Sequence, residues 1–233
     1  CEGGNIHMNM ENIRAVAFDM DGTLLDSMGY WRGENRRFLQ RRSLPIPEDL
    51  KDTIDTMSSH AFARRFVADY GAPNTFESVM DEYHEVLRGL YRTVIPAKQG
   101  AERFLRLLKK HGVKMCVATA TLHDTAVAAL DRQGFLPYFE FVTDGTDMGL
   151  AKGDPRYFEK LAERLGEKPE NCAMFEDSAY AMKSARAAGM KILGIRENVY
   201  ADKPDEMARI LENCDLFVDT FDEAADKLFP GEE

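Results

Sequence analysis

The stretch AVAFDMDGTLLDS, residues 15–27, places two aspartates directly after a short apolar run. The run AVAF has the composition of a strand that is buried on both faces, and Asp19, Asp21 and Gly22 follow it. Two carboxylates about 4 Å apart repel each other by about 4 kcal/mol at an effective dielectric constant of 20. The rest of the chain must therefore supply positive charge near this turn.

The bulk composition indicates a globular protein that acts on small molecules. The chain has 233 residues, of which 44% are hydrophobic, and its net charge of −10 argues against nucleic acid or an anionic membrane as the main partner. No apolar run approaches the ~20 residues that span a bilayer, and a secretion signal is not evident. The four cysteines form no C-x-x-C pair, so we expect a cytoplasmic protein without disulfides. A monomer or small homo-oligomer is expected.

Apolar runs and amphipathic segments alternate from about residue 96 onward. AERFLRLLKK (101–110) and DPRYFEKLAERLG (154–166) have helical periods, and VKMCVATA (113–120) is typical of a buried strand. Asp154 is the expected N-cap of the second helix, and Thr121, with Asp124, is the expected N-cap of the helix after the strand. This alternation predicts an α/β fold with a Rossmann-like parallel sheet and helices on both faces.

Residues 28–95 interrupt the alternation. Their apolar side chains recur at helical spacing and no segment is a convincing strand, which predicts an inserted all-helical cap domain. The α/β core then comprises residues 10–27 and 96–233, joined to the insert by two connections that could act as a hinge. Residues 1–9 show no periodicity, and we expect them to be disordered or foreign to the native fold.

Four polar clusters lie at predicted strand ends or crossovers, where ligands bind in open α/β sheets. Each has an ordinary structural explanation when taken alone: a turn, a β-branched strand residue, a solvated lysine or an acidic loop. Their joint occurrence in one sheet favours a functional site. The clusters are Asp19 with Asp21, Thr119, Lys152, and Glu176 with Asp177.

The carboxylates of this set predict a site for a hard divalent cation. A calcium loop is excluded because its sixth position, counted from Asp19, is Leu24 rather than glycine and a strand precedes it. The histidines show no ligand spacing, which disfavours zinc. Mg²⁺ suits a shell of carboxylates and water, and together with Lys152 and the hydroxyl and amides around Thr119 it would form a receptacle for a phosphate dianion.

DMDGTLLDS, the turn at Thr119, Lys152 and FEDS resemble the four motifs of the haloacid dehalogenase superfamily, in order, and the resemblance extends from about residue 10 to 225. It is greatest to the branch of β-phosphoglucomutases and phosphoglycolate phosphatases, whose members carry a helical cap of the C1 type. The resemblance implies that Asp19 attacks phosphorus to form an aspartyl phosphate. It implies that Asp21 protonates the leaving oxygen and then takes a proton from water.

The same resemblance assigns the binding residues. Mg²⁺ would be held by the Asp19 carboxylate, the Asp21 backbone carbonyl and Asp177, with Glu176 as a ligand or as a partner of the ligands. Phosphate would be bound by the group Gly22, Thr23, Thr119, Ala120 and Lys152. The implied substrate is a small phosphorylated metabolite, such as a sugar phosphate monoester.

Three alternatives to a phosphatase remain. A dehalogenase is disfavoured because such members lack an aspartate at the position of Asp21. A β-phosphoglucomutase-like enzyme would carry a histidine where Trp31 stands and an arginine near Ser58–His60, so these substitutions favour hydrolysis. Trp31 and His60 are then the candidate residues of the cap for substrate selection. A non-catalytic member of the fold is disfavoured because all four motifs retain their polar residues.

Overall fold

The structure is a computed structural model that describes residues 10–51, 53–54 and 57–232. The expectation for residues 1–9 lies outside these ranges. The described residues separate into two compact units: those up to Asp26 and from Pro96 onward form the core unit, and those within Ser27–Ile95 form the helical unit. The role of the helical unit as a cap stays a prediction.

Six parallel strands form the sheet of the core unit, which confirms the predicted fold class. The strands are β1 (Ala15–Phe18), β2 (Lys114–Ala118), β3 (Phe141–Thr143), β4 (Cys172–Glu176), β5 (Lys191–Ile195) and β6 (Leu216–Val218), in the order β3-β2-β1-β4-β5-β6. The central strand β1 pairs in parallel with β2 on one side and with β4 on the other. The strand order reverses at β1, so the carboxyl end of β1 opens into the crevice where such sheets bind ligands.

Ten α-helices occur in the described residues. The helical unit contains α1 (Met28–Arg32), α2 (Glu34–Arg41), α3 (Ser59–Tyr70) and α4 (Phe76–Thr93). The core unit contains α5 (Ala101–Lys110), α6 (His123–Arg132), α7 (Pro155–Arg164), α8 (Ala179–Ala187), α9 (Pro204–Asn213) and α10 (Phe221–Leu228). None of the helices in the described ranges is long and apolar enough to cross a membrane.

Two helix starts test the expectations from sequence. The Asp154 side chain accepts a hydrogen bond from the Arg156 amide and Pro155 is the first residue of α7, as predicted. The expected N-cap at Thr121 is wrong, because α6 begins at His123 and follows Leu122, which makes no side-chain cap. The Thr121 hydroxyl instead donates to a carboxylate of the candidate site.

Aromatic packing beneath one face of the sheet holds the two strands that carry the candidate site. Phe18 of β1 and Phe175 of β4 stack with their ring centroids 5.7 Å apart. Phe104 of α5 and Phe221 of α10 cover them at centroid distances of 5.4 and 4.7 Å from Phe175. The opposite face, with Ala17 and its neighbours, packs against α7 and α8. The strands are therefore covered by helices on both sides, as predicted.

The helical unit has a core of its own. Phe38 of α2 lies 5.5 Å from Phe62, 5.1 Å from Phe66 and 5.5 Å from Tyr83, measured between ring centroids. The buried Glu34 carboxylate pairs with Arg37 and Arg41 of the same helix. In the part of this unit that the structure describes, no strand is present, in agreement with the helical periods of the sequence.

Candidate active site

The turn after β1 fixes both aspartates of the opening motif. The Asp19 amide donates to the Phe175 carbonyl, which continues the pairing of β1 with β4 for one residue. The Leu25 amide then bonds to the Met20 carbonyl, and the Gly22 amide to the Leu25 carbonyl, which closes the turn. Gly22 has a φ of +83°, in the left-handed region that favours glycine. The tight turn therefore requires a glycine at this position, apart from any role in phosphate binding.

Lys152 joins the two strand ends electrostatically. It lies in the segment before α7, and its side chain is 13% exposed. The Nζ atom donates to Asp19 Oδ1 at 2.5 Å and to Glu176 Oε2 at 2.9 Å. The structure therefore brings Lys152 into direct contact with two of the predicted acids, while its role in phosphate binding stays a prediction.

Three buried carboxylates converge next to this lysine. One oxygen from each of Asp19, Glu176 and Asp177 lies within 4.8 Å of the others. Glu176 is held in place because its Oε1 accepts from the amides of Asp177 and Ser178 and from the Ser178 hydroxyl. Asp19 Oδ2, in contrast, is buried without a hydrogen-bond partner among the described residues. A buried carboxylate oxygen without a donor suits a cation, so the donor set fits Mg²⁺.

The pKa values of these groups reflect their burial first and the charges of their neighbours second. Burial and the nearby Glu176 charge raise the pKa of Asp19 from 3.8 to about 7, although Lys152 opposes the shift. Burial, Glu176 and Asp19 together raise the pKa of Asp177 well above its ordinary value. Glu176 behaves differently: burial opposes its ionisation, but Lys152 and the surrounding donors hold its pKa below the ordinary value. Lys152 thus favours the ionised form of Glu176, whereas burial and the neighbouring negative charges disfavour the ionised forms of Asp19 and Asp177.

Asp21 points to a different set of partners. Its Oδ2 accepts from Thr121 Oγ1 at 2.7 Å and from Thr119 Oγ1 at 3.4 Å. The Thr119 hydroxyl oxygen in turn accepts from the Thr121 amide. The end of β2 therefore contacts the second aspartate of the motif rather than the first. Thr121 was missed by sequence reasoning, although the T-x-T spacing after the strand was a signal that could have identified it.

The remaining predicted residues lie in distinct surroundings. Thr23 is buried, and its hydroxyl donates to Asp177 Oδ1 at 3.5 Å, so it supports the acidic cluster. Ala120 is exposed at the end of β2. Trp31 and His60 belong to the helical unit, where Trp31 Nε1 donates to the Tyr91 hydroxyl at 2.8 Å and the His60 ring lies 5.8 Å from the Phe76 ring. The roles proposed for these residues stay predictions.

A further buried ion pair, which sequence reasoning also missed, lies near the three carboxylates in the core unit. Lys98 Nζ donates to Glu197 Oε2 at 2.6 Å and to the Arg196 carbonyl at 2.8 Å. The Glu197 charge contributes to the raised pKa of Asp177. The Lys98 amide also bonds to the Leu24 carbonyl, which ties the chain after the helical unit to the turn of the first motif. Neither residue belongs to a recognisable motif, so the sequence alone carried no signal for the pair.

Comparison with known proteins identifies the family. Residues 13–189 match the family model described as haloacid dehalogenase-like hydrolase. The chain belongs to this family. The superfamily predicted from the four motifs is therefore confirmed, and the enzyme class is that of a hydrolase.

The chain is also similar to individual phosphatases and phosphomutases. It is 27% identical over 184 residues to the phosphorylated carbohydrates phosphatase of Thermotoga maritima, with 78% of this chain and 85% of the relative covered. It is 23% identical over 190 residues to the β-phosphoglucomutase of Bacillus subtilis, with 78% and 83% covered. A crystal structure of a HAD family hydrolase from Deinococcus radiodurans shares the fold with a TM-score of 0.72 at 22% identity, with 94% of this chain and 99% of that chain covered.

The charge imbalance predicts how stability depends on pH when metal is removed. When folding raises the pKa of an acid, the free energy of unfolding falls as the pH rises from the pKa in the unfolded state to the pKa in the folded state. For Asp19 this range extends from 3.8 to about 7. In EDTA at pH 8, we expect Asp19→Asn to have a free energy of unfolding about 1–3 kcal/mol higher than that of the wild type. This gain should shrink at pH 5. Urea titrations at both pH values measure it. An equal gain at pH 5 and pH 8 would contradict the assignment of buried charge to Asp19.

Proposed function

We propose that the protein is a Mg²⁺-dependent phosphatase that hydrolyses a small phosphate monoester through an aspartyl phosphate on Asp19. The observation that carries the proposal is the environment of Asp19. One carboxylate oxygen pairs with Lys152, and the other is buried without a donor beside Glu176 and Asp177. A carboxylate in this position is a competent nucleophile, and phosphoryl transfer requires chiefly positioning and charge neutralisation.

Different residues of the core unit carry out the successive steps of the proposed reaction. An Asp19 carboxylate oxygen forms a bond to phosphorus while the bond from phosphorus to the leaving oxygen breaks, and Asp21 gives a proton to that oxygen. Water then attacks phosphorus, Asp21 accepts its proton, and Asp19 is regenerated with release of phosphate. The hydroxyls of Thr119 and Thr121 hold Asp21 through both proton transfers. Lys152 and Thr119, with the backbone around Gly22, Thr23 and Ala120, bind the phosphoryl oxygens.

The proposed metal ligands are the carboxylates of Asp19, Glu176 and Asp177 and the backbone carbonyl of Asp21. When bound, Mg²⁺ supplies the positive charge that the three carboxylates need and lowers the repulsion between Asp19 and the phosphate dianion. The proposal is supported by the donor set, which consists of oxygen atoms alone and includes an unpaired one.

The proposed substrate is a phosphorylated metabolite that resembles a sugar phosphate, because a relative acts on phosphorylated carbohydrates. We place the enzyme in the cytoplasm, since the three cysteines in the described ranges are free thiols, as a reducing compartment favours. We prefer hydrolysis to mutase chemistry because Trp31 occupies the position at which the mutases that the sequence resembles carry a histidine. An indole N–H donates only, and here it is engaged by Tyr91.

The nucleophile assignment is tested by a pair of matched variants in one turn. Asp19→Asn should lower the turnover of p-nitrophenyl phosphate by at least about 10³-fold, because an amide does not attack phosphorus at a useful rate. Asp26→Asn removes an exposed carboxylate from the same segment and should retain activity within about twofold. Initial rates of both purified variants, with circular dichroism to verify folding, measure the difference. Comparable activity of the two variants would refute the role of Asp19.

The metal dependence is tested by removal and replacement. EDTA should stop turnover, and excess Mg²⁺ should restore it, because Lys152 is the one cation in contact with the three carboxylates among the described residues. Mg²⁺ should also raise the melting temperature of the wild type, since a ligand that binds only the folded state stabilises it. Asp177→Asn should lose most of that rise. Turnover in EDTA, or a metal-induced rise in Asp177→Asn equal to that of the wild type, would refute the site.

The choice between phosphatase and mutase is tested with one substrate. We incubate the enzyme with β-glucose 1-phosphate, Mg²⁺ and a catalytic amount of glucose 1,6-bisphosphate, and follow the products by phosphorus NMR. Inorganic phosphate should accumulate, because Trp31 stands at the position where the mutases that the sequence resembles carry a histidine. Accumulation of glucose 6-phosphate without inorganic phosphate would overturn the preference for hydrolysis.

A further inference from the structure

An aromatic side chain contacts the glycine that follows Lys152. Tyr180 is the second residue of α8, and its phenol lies against the Cα atom of Gly153. A Cβ atom placed on Gly153 would lie 2.5 Å from Tyr180 Cζ and 2.8 Å from Cε2, and closer still to the hydroxyl oxygen. Real Cβ atoms essentially never approach other heavy atoms within 3.0 Å. The ring of Tyr180 therefore occupies the space that any side chain at position 153 would need.

Close approach, rather than backbone conformation, explains this glycine. Gly149, at the beginning of the same segment, has a left-handed φ of +63°, whereas Gly153 is not among the glycines with positive φ. Position 153 therefore accepts other residues as far as its backbone is concerned. Glycine instead leaves room for the end of the Tyr180 side chain, which is 64% exposed and which a side chain at position 153 would displace.

The contact joins two segments of the site. Lys152 precedes Gly153, while α8 begins directly after β4, whose end carries Glu176 and Asp177. The Lys152 side chain must cross from its loop to reach Asp19 and Glu176. Lysine is a flexible side chain with a point charge, so its placement depends on the placement of its backbone. An aromatic ring packed on the next residue restricts that backbone.

We propose that Tyr180 is a positioning residue that fixes the Lys152 segment against α8, so that Nζ stays between Asp19 and Glu176. Tyr180 acts through Lys152 and takes no part in the proposed proton transfers. The expected effect of Tyr180 on phosphate binding rests on the proposed function. Its expected effect on how fast Lys152 is chemically labelled does not.

The first test measures the protection of Lys152 directly. Reductive methylation with formaldehyde, followed by peptide mass spectrometry, gives the labelling rate of each lysine in the folded protein. Tyr180→Ala and Gly153→Ala should each raise the rate at Lys152 by about tenfold, because each removes the contact and lets the segment open. Lys183, which is exposed on α8, should label equally in all variants and serves as the internal reference.

Two controls separate the contact from a general loss of structure. Tyr180→Phe keeps the ring on Gly153 and should protect Lys152 as the wild type does. Leu211→Ala removes another exposed apolar side chain, 50% exposed on α9, and should leave the rate unchanged. In the double variant Tyr180→Ala/Gly153→Ala, the new methyl group has room, so the rate should equal that of Tyr180→Ala alone. Unchanged protection in Tyr180→Ala, or additive effects in the double variant, would overturn the proposal.

The second test measures phosphate binding in the Mg²⁺-loaded enzyme. With p-nitrophenyl phosphate, Tyr180→Ala should raise KM and the inhibition constant of inorganic phosphate together by about fivefold, with a smaller change in kcat, and Tyr180→Phe should restore both. A drop in kcat at constant KM would contradict a role through Lys152. A wild type that releases no phosphate would refute the proposed function, while the labelling result would still decide the role of Tyr180.

Discussion

The balance between three buried carboxylates and one lysine is the constraint on which the site depends. Lys152 contacts Asp19 and Glu176 directly, and Asp177 lies within reach of both acids without a lysine of its own. Charges of one sign persist in a buried site when a partner or a metal ion compensates them. Burial and the Glu176 charge raise the pKa values of Asp19 and Asp177 although Lys152 lies beside the cluster. The charge that remains is what makes the site suitable for a divalent cation together with a phosphate dianion.

The fold supplies this arrangement by bringing together residues that are distant in sequence. Asp19 and Lys152 are separated by 133 positions, and only the pairing of β1 with β4 places the first motif beside the last. The stacked rings of Phe18 and Phe175 lie one residue before Asp19 and Glu176, so their packing stabilises the two paired strands whose carboxyl ends carry the charges. Stability of the core and geometry of the site are therefore coupled through the same two strands.

The sequence predicted the sheet, the family and the polar residues at the strand ends, because each is encoded in local pattern: an apolar run, a capped helix, a motif of fixed spacing. It did not predict contacts between motifs. Thr121 resembles an N-cap in sequence but bonds to Asp21, because the helix begins at His123, one residue later than an N-cap at Thr121 predicts. The ion pair of Lys98 with Glu197 and the contact of Tyr180 with Gly153 join segments that share no pattern. Such contacts depend on tertiary placement, which local periodicity does not specify.

The groups proposed for the chemistry all belong to the core unit, and this division has a physical consequence. Asp19, Asp21 and Lys152 are positioned by the sheet and its loops, while the helical unit has an aromatic cluster of its own, in which Phe38 stacks on Tyr83. The phosphatase of phosphorylated carbohydrates and the β-phosphoglucomutase resemble the chain to a similar degree, so overall similarity does not decide between hydrolysis and mutase chemistry.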